Sequence, residues 1–356
     1  MFPELLPKPS KTNPMEFTAP KALRFRSGAL PLVRSRAFFC LALIFCLPSQ
    51  VAAQFIRTSN LSVENDGLVF WTPPHDRTDR YYTNGLKAEA VVAWAPRWAK
   101  LLSEGEPRVC PPDPESNPCV LTRLTFGQSI FTPAFIFNPG PPVYDRPYAG
   151  WLYLKATTAR VTETGSRSLG IELGVTGEPS LASPAHRWVH RALGKAEPTG
   201  WDHQIPFELA FSVAYEARTT VPLLALESGP SLHLEPHGSL TLGTLRTGGV
   251  GGLSFRAGWN APPTLDWWGP GLGAFYFRLA AGLEAELVLR DLFIDGNTWK
   301  ESLSTERTPV VGRASVGLEI GAKSLAVSFA VTRSSIQFSH QLESHSVGAI
   351  SIIIRP

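Results

Sequence analysis

Across residues 60–354 the chain alternates apolar residues with polar or small ones, the period of two that sends successive side chains to opposite faces of a β-strand. In residues 207–215, Phe207, Leu209, Phe211, Val213 and Tyr215 share one face, and Glu208, Ala210, Ser212 and Ala214 share the other. The same period runs through Leu169, Ile171, Leu173 and Val175, and through Leu325, Val327, Phe329 and Val331. Its longest run is residues 275–289, where Phe277, Leu279, Leu283, Leu287 and Leu289 oppose Arg278, Glu284 and Glu286. Globular strands are mostly about five or six residues long. A longer strand, apolar on one side and charged on the other, predicts a tilted membrane crossing with lipid outside and a polar interior. Comparable segments number about twelve, within the range of such barrels. The predicted fold is all-β: an antiparallel transmembrane β-barrel of about twelve strands with a short helical insert at residues 183–193. Trp94, Trp98, Trp151, Trp259, Trp267 and Trp268 fall at predicted strand ends or turns, as interfacial girdles require. A soluble β-sandwich is the alternative, but packing two sheets does not favour strands this long.

Composition narrows the reading further. With 30 Gly and 32 Pro among 356 residues the chain is not a helix bundle, and 44% apolar with 18% charged residues rules out global disorder. The net charge of +3 hides a division. Residues 1–53 carry seven basic and two acidic side chains, so the remainder sits at −2 and offers no basis for a nucleic-acid partner. Arg34 and Arg36 precede an uncharged run at residues 37–47 that is too short to span a bilayer as a helix, and Ala52 and Ala53 follow. That order predicts a secretory signal cleaved after Ala53, with Met15 as a second candidate start and residues 54–356 as the exported barrel. The exported part keeps two cysteines, Cys110 and Cys119, flanking a proline-rich polar loop that a disulfide would close.

Four polar clusters exceed what a passive barrel needs. Glu64, Asn65 and Asp66 interrupt the first strand pattern with oxygen donors of the kind that suit a hard cation. Residues 79–85, DRYYTNG, open the next strand, and a hairpin would bring Thr83 beside Asn65 and Asp66. Asp145, Arg146 and Tyr148 lead into a later strand; Arg146 would bind phosphate or carboxylate, or pair with a neighbouring acid. His186 and His190 lie one helical turn apart, ahead of Trp201, Asp202 and His203. The stretch HRWVH lacks the glutamate of the HExxH zinc motif, and no GxSxG elbow or nucleophilic cysteine occurs. A hydrolase built on these residues would activate water with a histidine base beside a cation-polarised carbonyl.

In this order the clusters resemble the outer-membrane lipid A 3-O-deacylase family. The matching stretches are ENDG at 64–67, TDRYYTNG at 78–85, GQSIFTP at 127–133, DRPYAGWLY at 145–153, HRWVH with GWDHQ through Gln204, and RDLFIDGNTW at 290–299. The resemblance spans the exported chain. It implies a barrel in the Gram-negative outer membrane, surrounded by its lipid, whose site faces the lumen near the outer rim. It also implies Ca²⁺-dependent hydrolysis of the 3-linked acyl ester of lipid A, the lipid part of lipopolysaccharide, by an enzyme expected to be a monomer. Position by position, the resemblance makes His190 the base that activates water, Asn65 and Asp66 the residues that hold or adjoin the metal, and Thr83 the hydroxyl beside them. Arg146 and Tyr148 are expected to contact substrate, and Glu197, with Asp202 as the other candidate, is expected to orient His190. Two other readings stand beside this one: a non-catalytic barrel, either pore or structural protein, and a barrel phospholipase, for which Ser129 and Ser212 lack a histidine neighbour. The chain departs from common barrel sequences in ending Ser351-Ile-Ile-Ile-Arg-Pro356, without a terminal aromatic.

Overall fold

The structure, a computed structural model, describes residues 55–69, 79–103, 105–111, 118–226, 229–261 and 275–355. The expected leader, Thr78, Trp267 and Trp268 lie outside the described residues. Strands β1 (Ile56–Asn65), β2 (Tyr81–Val92), β3 (Cys119–Thr132), β4 (Ala149–Thr162) and β5 (Gly165–Val175) lead to β6 (Leu209–Thr219) and β7 (Val221–Ala225). Then come β8 (Pro230–Gly243), β9 (Arg246–Trp259), β10 (Tyr276–Asp291), β11 (Val310–Ala322), β12 (Leu325–Ser334) and β13 (His345–Ile354). Segments β6 and β7 both pair with β8 and are one stave bent at Thr220. The staves therefore number twelve, all antiparallel, and the sheet closes where β1 meets β13 and β6 meets β8.

Alternation decides which way each side chain points. On β10, Phe277, Leu279, Leu283, Leu287 and Leu289 are exposed outward, as a lipid-facing band must be. Their inward neighbours pair with polar groups instead: Arg278 with Glu319 and Glu286 with Arg246 and Arg313 as ion pairs, and Glu284 with His237 by a 3.0 Å hydrogen bond. Glu235 is likewise held between Arg218 and Arg256. A soluble sandwich would bury both inner faces in apolar contact, so this inside-out arrangement excludes it. Not every tryptophan lies where a girdle was expected. Trp94 and Trp98 do pack together beyond the end of β2, but Trp151 points inward and donates to Glu172 at 2.9 Å. It joins Tyr153, Ala210, Leu245, Leu292 and Phe293 in an apolar plug across one end of the lumen.

The two chain ends of the barrel lie together, Ser59 opposite Ile354, while Asn65 pairs with Asn84 and Gly348 at the far end. That far end carries the connections following β1, β3, β5, β8, β10 and β12, including helix α1 (Ala182–Ala192) and helix α2 (Leu292–Asp295). Cys110 and Cys119 form a disulfide at the chain-end side, packed against Val91 and Leu121. Replacing Cys110 by Ser is expected to cost roughly 2–3 kcal/mol of loop-closure stabilisation. Unfolding in denaturant would measure it.

Candidate active site

Parts of the polar clusters meet on one patch of wall, and the register says on which side. Leu61 and Val63 of β1 are exposed to lipid at 49% and 40%, so Asn65, two residues on, points the same way. On β3, Leu124 and Phe126 face lipid, and Gln128, Ile130 and Thr132 continue that face. A bulge in β2 sets two residues, Thr83 and Asn84, against one position of β3 and turns Thr83 outward. Its hydroxyl lies 2.7 Å from that of Thr132, which in turn donates to the Asp79 carbonyl at 3.1 Å. The expectation of a lumen-facing site is therefore corrected: these residues lie on the outer surface of the wall, near the end remote from the termini.

Helix α1 covers them from outside. Its buried face is Ala182, His186 and His190, four residues apart, while Trp188 is 65% exposed on the opposite flank. The seat is made by Ile130, Ile136, Tyr148 and Trp201, and Gln128 donates to the Ser180 carbonyl at 2.7 Å. Gly150 of β4 is where the approach is closest, since a Cβ there would stand 2.3 Å from that of Ala182 and 2.1 Å from Ser180 Oγ. Gly150→Val is expected to push α1 off the wall and lower kcat by about 10²-fold, the cost of about 1 Å of misplacement, in a barrel that still folds. Heat-modifiable electrophoretic mobility paired with a rate assay would check both halves.

Within this crevice Asn65 caps the turn that follows β1, accepting from Gly67 N at 2.8 Å and donating to the Thr83 carbonyl at 2.8 Å. Asp66 is 5% exposed and accepts from Arg80 N at 3.1 Å. Burial, reinforced by the nearby Asp79 carboxylate, raises its pKa well above the usual aspartate range. The His190 ring is 2% exposed, with Nδ1 2.5 Å from the Ala196 carbonyl and Nε2 3.2 Å from Asp79 Oδ2. A carbonyl can only accept, so Nδ1 carries a hydrogen, and Nε2 is the ring nitrogen turned toward Asp79.

Several expected roles need correction. Glu197 does not orient His190: its carboxylate is on the surface, 3.3 Å from Arg191 Nε, and the Ala196 carbonyl occupies the place proposed for an acid. Asp202 is exposed. The acid that meets His190 is Asp79, within a quoted motif but far along the chain. Arg146 is on the lumen side, its guanidinium 4.6 Å from the Phe131 ring and 3.5 Å from the Phe293 carbonyl, where burial lowers its pKa to about 10. It braces the plug. Tyr148 is 1% exposed, gives its hydroxyl hydrogen to the Ile136 carbonyl at 2.9 Å and packs on Trp201, so it supports α1 instead of touching substrate. Ser129 and Ser212 both point into the barrel, away from His190.

A Ca²⁺ ion asks for oxygen ligands. Asp66 and Asn65 supply that chemistry, and the buried Asp66 charge beside Asp79 is the kind that a cation would offset. The residues present fit the ion.

Comparison with known proteins now places the chain. The model of the family described as "Outer membrane protein LpxR" matches residues 38–355. The chain belongs to the LpxR family. Among solved structures, LpxR from Salmonella typhimurium is similar in fold, with a TM-score of 0.67 at 18% identity, covering 84% of this chain and 100% of that one. The β-domain of the Bordetella autotransporter BrkA follows at a TM-score of 0.42 and 9% identity, covering 83% and 96% of the two chains. No curated protein matches the sequence. As an LpxR-family member the protein is a multi-pass β-barrel of the outer membrane.

Proposed function

We propose that this LpxR-family protein is an ester hydrolase that removes the 3-linked acyl or acyloxyacyl group of lipid A. One observation carries the reading: an oriented His190 Nε2 meets Asp79 on the lipid-facing side of the wall, and Asp79 is tied through Thr132 to Thr83, the partner of Asn65, and lies near enough to Asp66 to raise its pKa. A substrate embedded in the same leaflet reaches such a site laterally, without entering the barrel. The exposed Trp188 and Leu193 at the edge of α1 give the crevice an apolar lip toward lipid.

His190 Nε2 takes a proton from water as the oxygen attacks the ester carbonyl, and returns it to the sugar oxygen as the C–O bond breaks. The Ala196 carbonyl holds the tautomer throughout. Thr83, through Thr132, fixes the segment bearing Asp79. Asp66 and Asn65 would hold Ca²⁺, which supplies charge stabilisation for the ester oxygen when bound.

The test is mass spectrometry of lipid A incubated with the purified protein, with Ca²⁺ and with chelator. The reading expects loss of one 3-linked acyl or acyloxyacyl group, only with Ca²⁺; intact lipid A under both conditions rejects it. We also propose that residues 1–53 are removed on export, so the intact mass of the membrane-extracted protein should begin at Gln54.

A further inference from the structure

The lipid A reading leaves one buried neighbour of His190 without a role. Ligand-type atoms of Asp79, His186 and His190 lie within 4.8 Å of one another. One carboxylate and two imidazoles resemble the donor set of a transition metal. The hydrogen bonds oppose that assignment. Trp201 Nε1 can only donate, and it lies 3.2 Å from His186 Nδ1. Nδ1 is therefore bare and Nε2 bears the hydrogen, whereas a metal at Nε2 needs the reverse. His186 is 2% exposed, and burial lowers its pKa to about 4, which keeps the ring neutral near pH 7. His190 has the opposite tautomer, because the Ala196 carbonyl takes its Nδ1 hydrogen.

The crevice thus brings His190 Nε2 and Asp79 Oδ2 within 3.2 Å of each other, with the His186 ring, whose hydrogen is on Nε2, packed beside them. That Nε2 is buried and has no hydrogen-bond partner among the described residues. One ring nitrogen of each histidine and one carboxylate oxygen of Asp79 lie within 4.8 Å of one another, a spacing that lets all three side chains reach a single oxygen at a hydrogen-bond length of about 2.8 Å.

We propose that Asp79, His186 and His190 form a cradle for the nucleophilic water of the reaction proposed above, on which this inference rests. The water accepts from His186 Nε2–H and donates to Asp79 and to His190. Three of its four hydrogen-bonding positions are then filled, and the remaining lone pair is the one that attacks. As the oxygen–carbon bond forms, the proton shared with His190 moves onto Nε2 and the carbonyl electron pair shifts to its oxygen. Collapse of the intermediate breaks the bond to the sugar oxygen, which receives the proton from His190. The products are a carboxylic acid and an alcohol; Asp79 and His186 exchange no proton.

The experiment uses the full mature protein in detergent micelles with lipid A, and heat-modifiable mobility confirms that each variant folds. His186→Phe, which fills the space without a donor, should lower kcat by about 10²-fold with KM nearly unchanged. His186→Gln places an amide N–H near the Nε2 position and should regain at least about tenfold of that loss. Should the Phe variant fail to fold, Trp201→Phe serves in its place, since freeing Nδ1 removes the tautomer lock and should also lower kcat. Wild-type rates in His186→Phe, or a Gln variant no better than Phe, would overturn the cradle. Nitrogen-15 NMR of histidine-labelled protein reads the geometry without catalysis: the hydrogen of His186 belongs on Nε2. Finding it on Nδ1, or finding that one equivalent of Zn²⁺ binds through His186 and is needed for turnover, overturns the proposal. If the wild type leaves lipid A intact, the hydrolase reading fails, while the NMR result still decides how the three side chains are set.

Discussion

His190→Ala is expected to lower the rate of acyl release from lipid A by about 10²–10⁴-fold, the usual worth of a positioned general base, or about 3–5 kcal/mol of barrier. The barrel should remain folded. His190 is on α1, outside the wall, and contributes nothing to the strand ladders that close the sheet. Unchanged β-sheet circular dichroism and heat-modifiable mobility would establish that. Added imidazole should restore part of the rate, because the pocket left by the side chain still contains the Asp79 carboxylate and the Ala196 carbonyl that set the ring. Near-wild-type turnover in the alanine variant, measured on verified folded protein, would remove His190 from the chemistry.

Asp66→Asn is expected to separate stability from activity. The amide oxygen can keep the hydrogen bond from Arg80 N, while the negative charge that burial and Asp79 disfavour is gone. The folded state should be at least as stable as wild type toward denaturant. Activity should fall by about 10²–10³-fold, the scale of losing a principal oxyanion-stabilising interaction, and the residue of activity should no longer respond to Ca²⁺ or chelator. This opposition is what a functional carboxylate looks like when it is retained against its own burial cost. A variant that lost stability and kept Ca²⁺-dependent turnover would mark Asp66 as structural.

Much of the architecture was legible because barrels write one rule into every strand. The alternation of Phe277, Leu279 and Leu283 with Arg278, Gly282 and Glu284 fixes which side meets lipid, and the structure places those faces as expected. The cysteine pair and the helical insert were local enough to read from spacing. The proximity of Asn65 to Thr83 followed from a single hairpin.

The side of the wall on which the site lies was not legible, and neither was the company His190 keeps. Thr83 turns outward because one extra residue in β2 breaks the strict period at that point, and a one-residue shift exchanges lumen for lipid. Asp79 reaches His190 only because the residues that enter β2 and a helix after β5 meet over the same strip of β3 and β4. Glu197 looked suitable by distance along the chain, yet the turn after α1 presents the Ala196 carbonyl to the ring and sends the carboxylate to Arg191. Sequence alone determined the barrel and its polarity, because those follow from repeated nearest-neighbour chemistry. Only the tertiary structure decided which carboxylate, which tautomers and which face make the site, because these depend on single contacts between segments far apart in the chain.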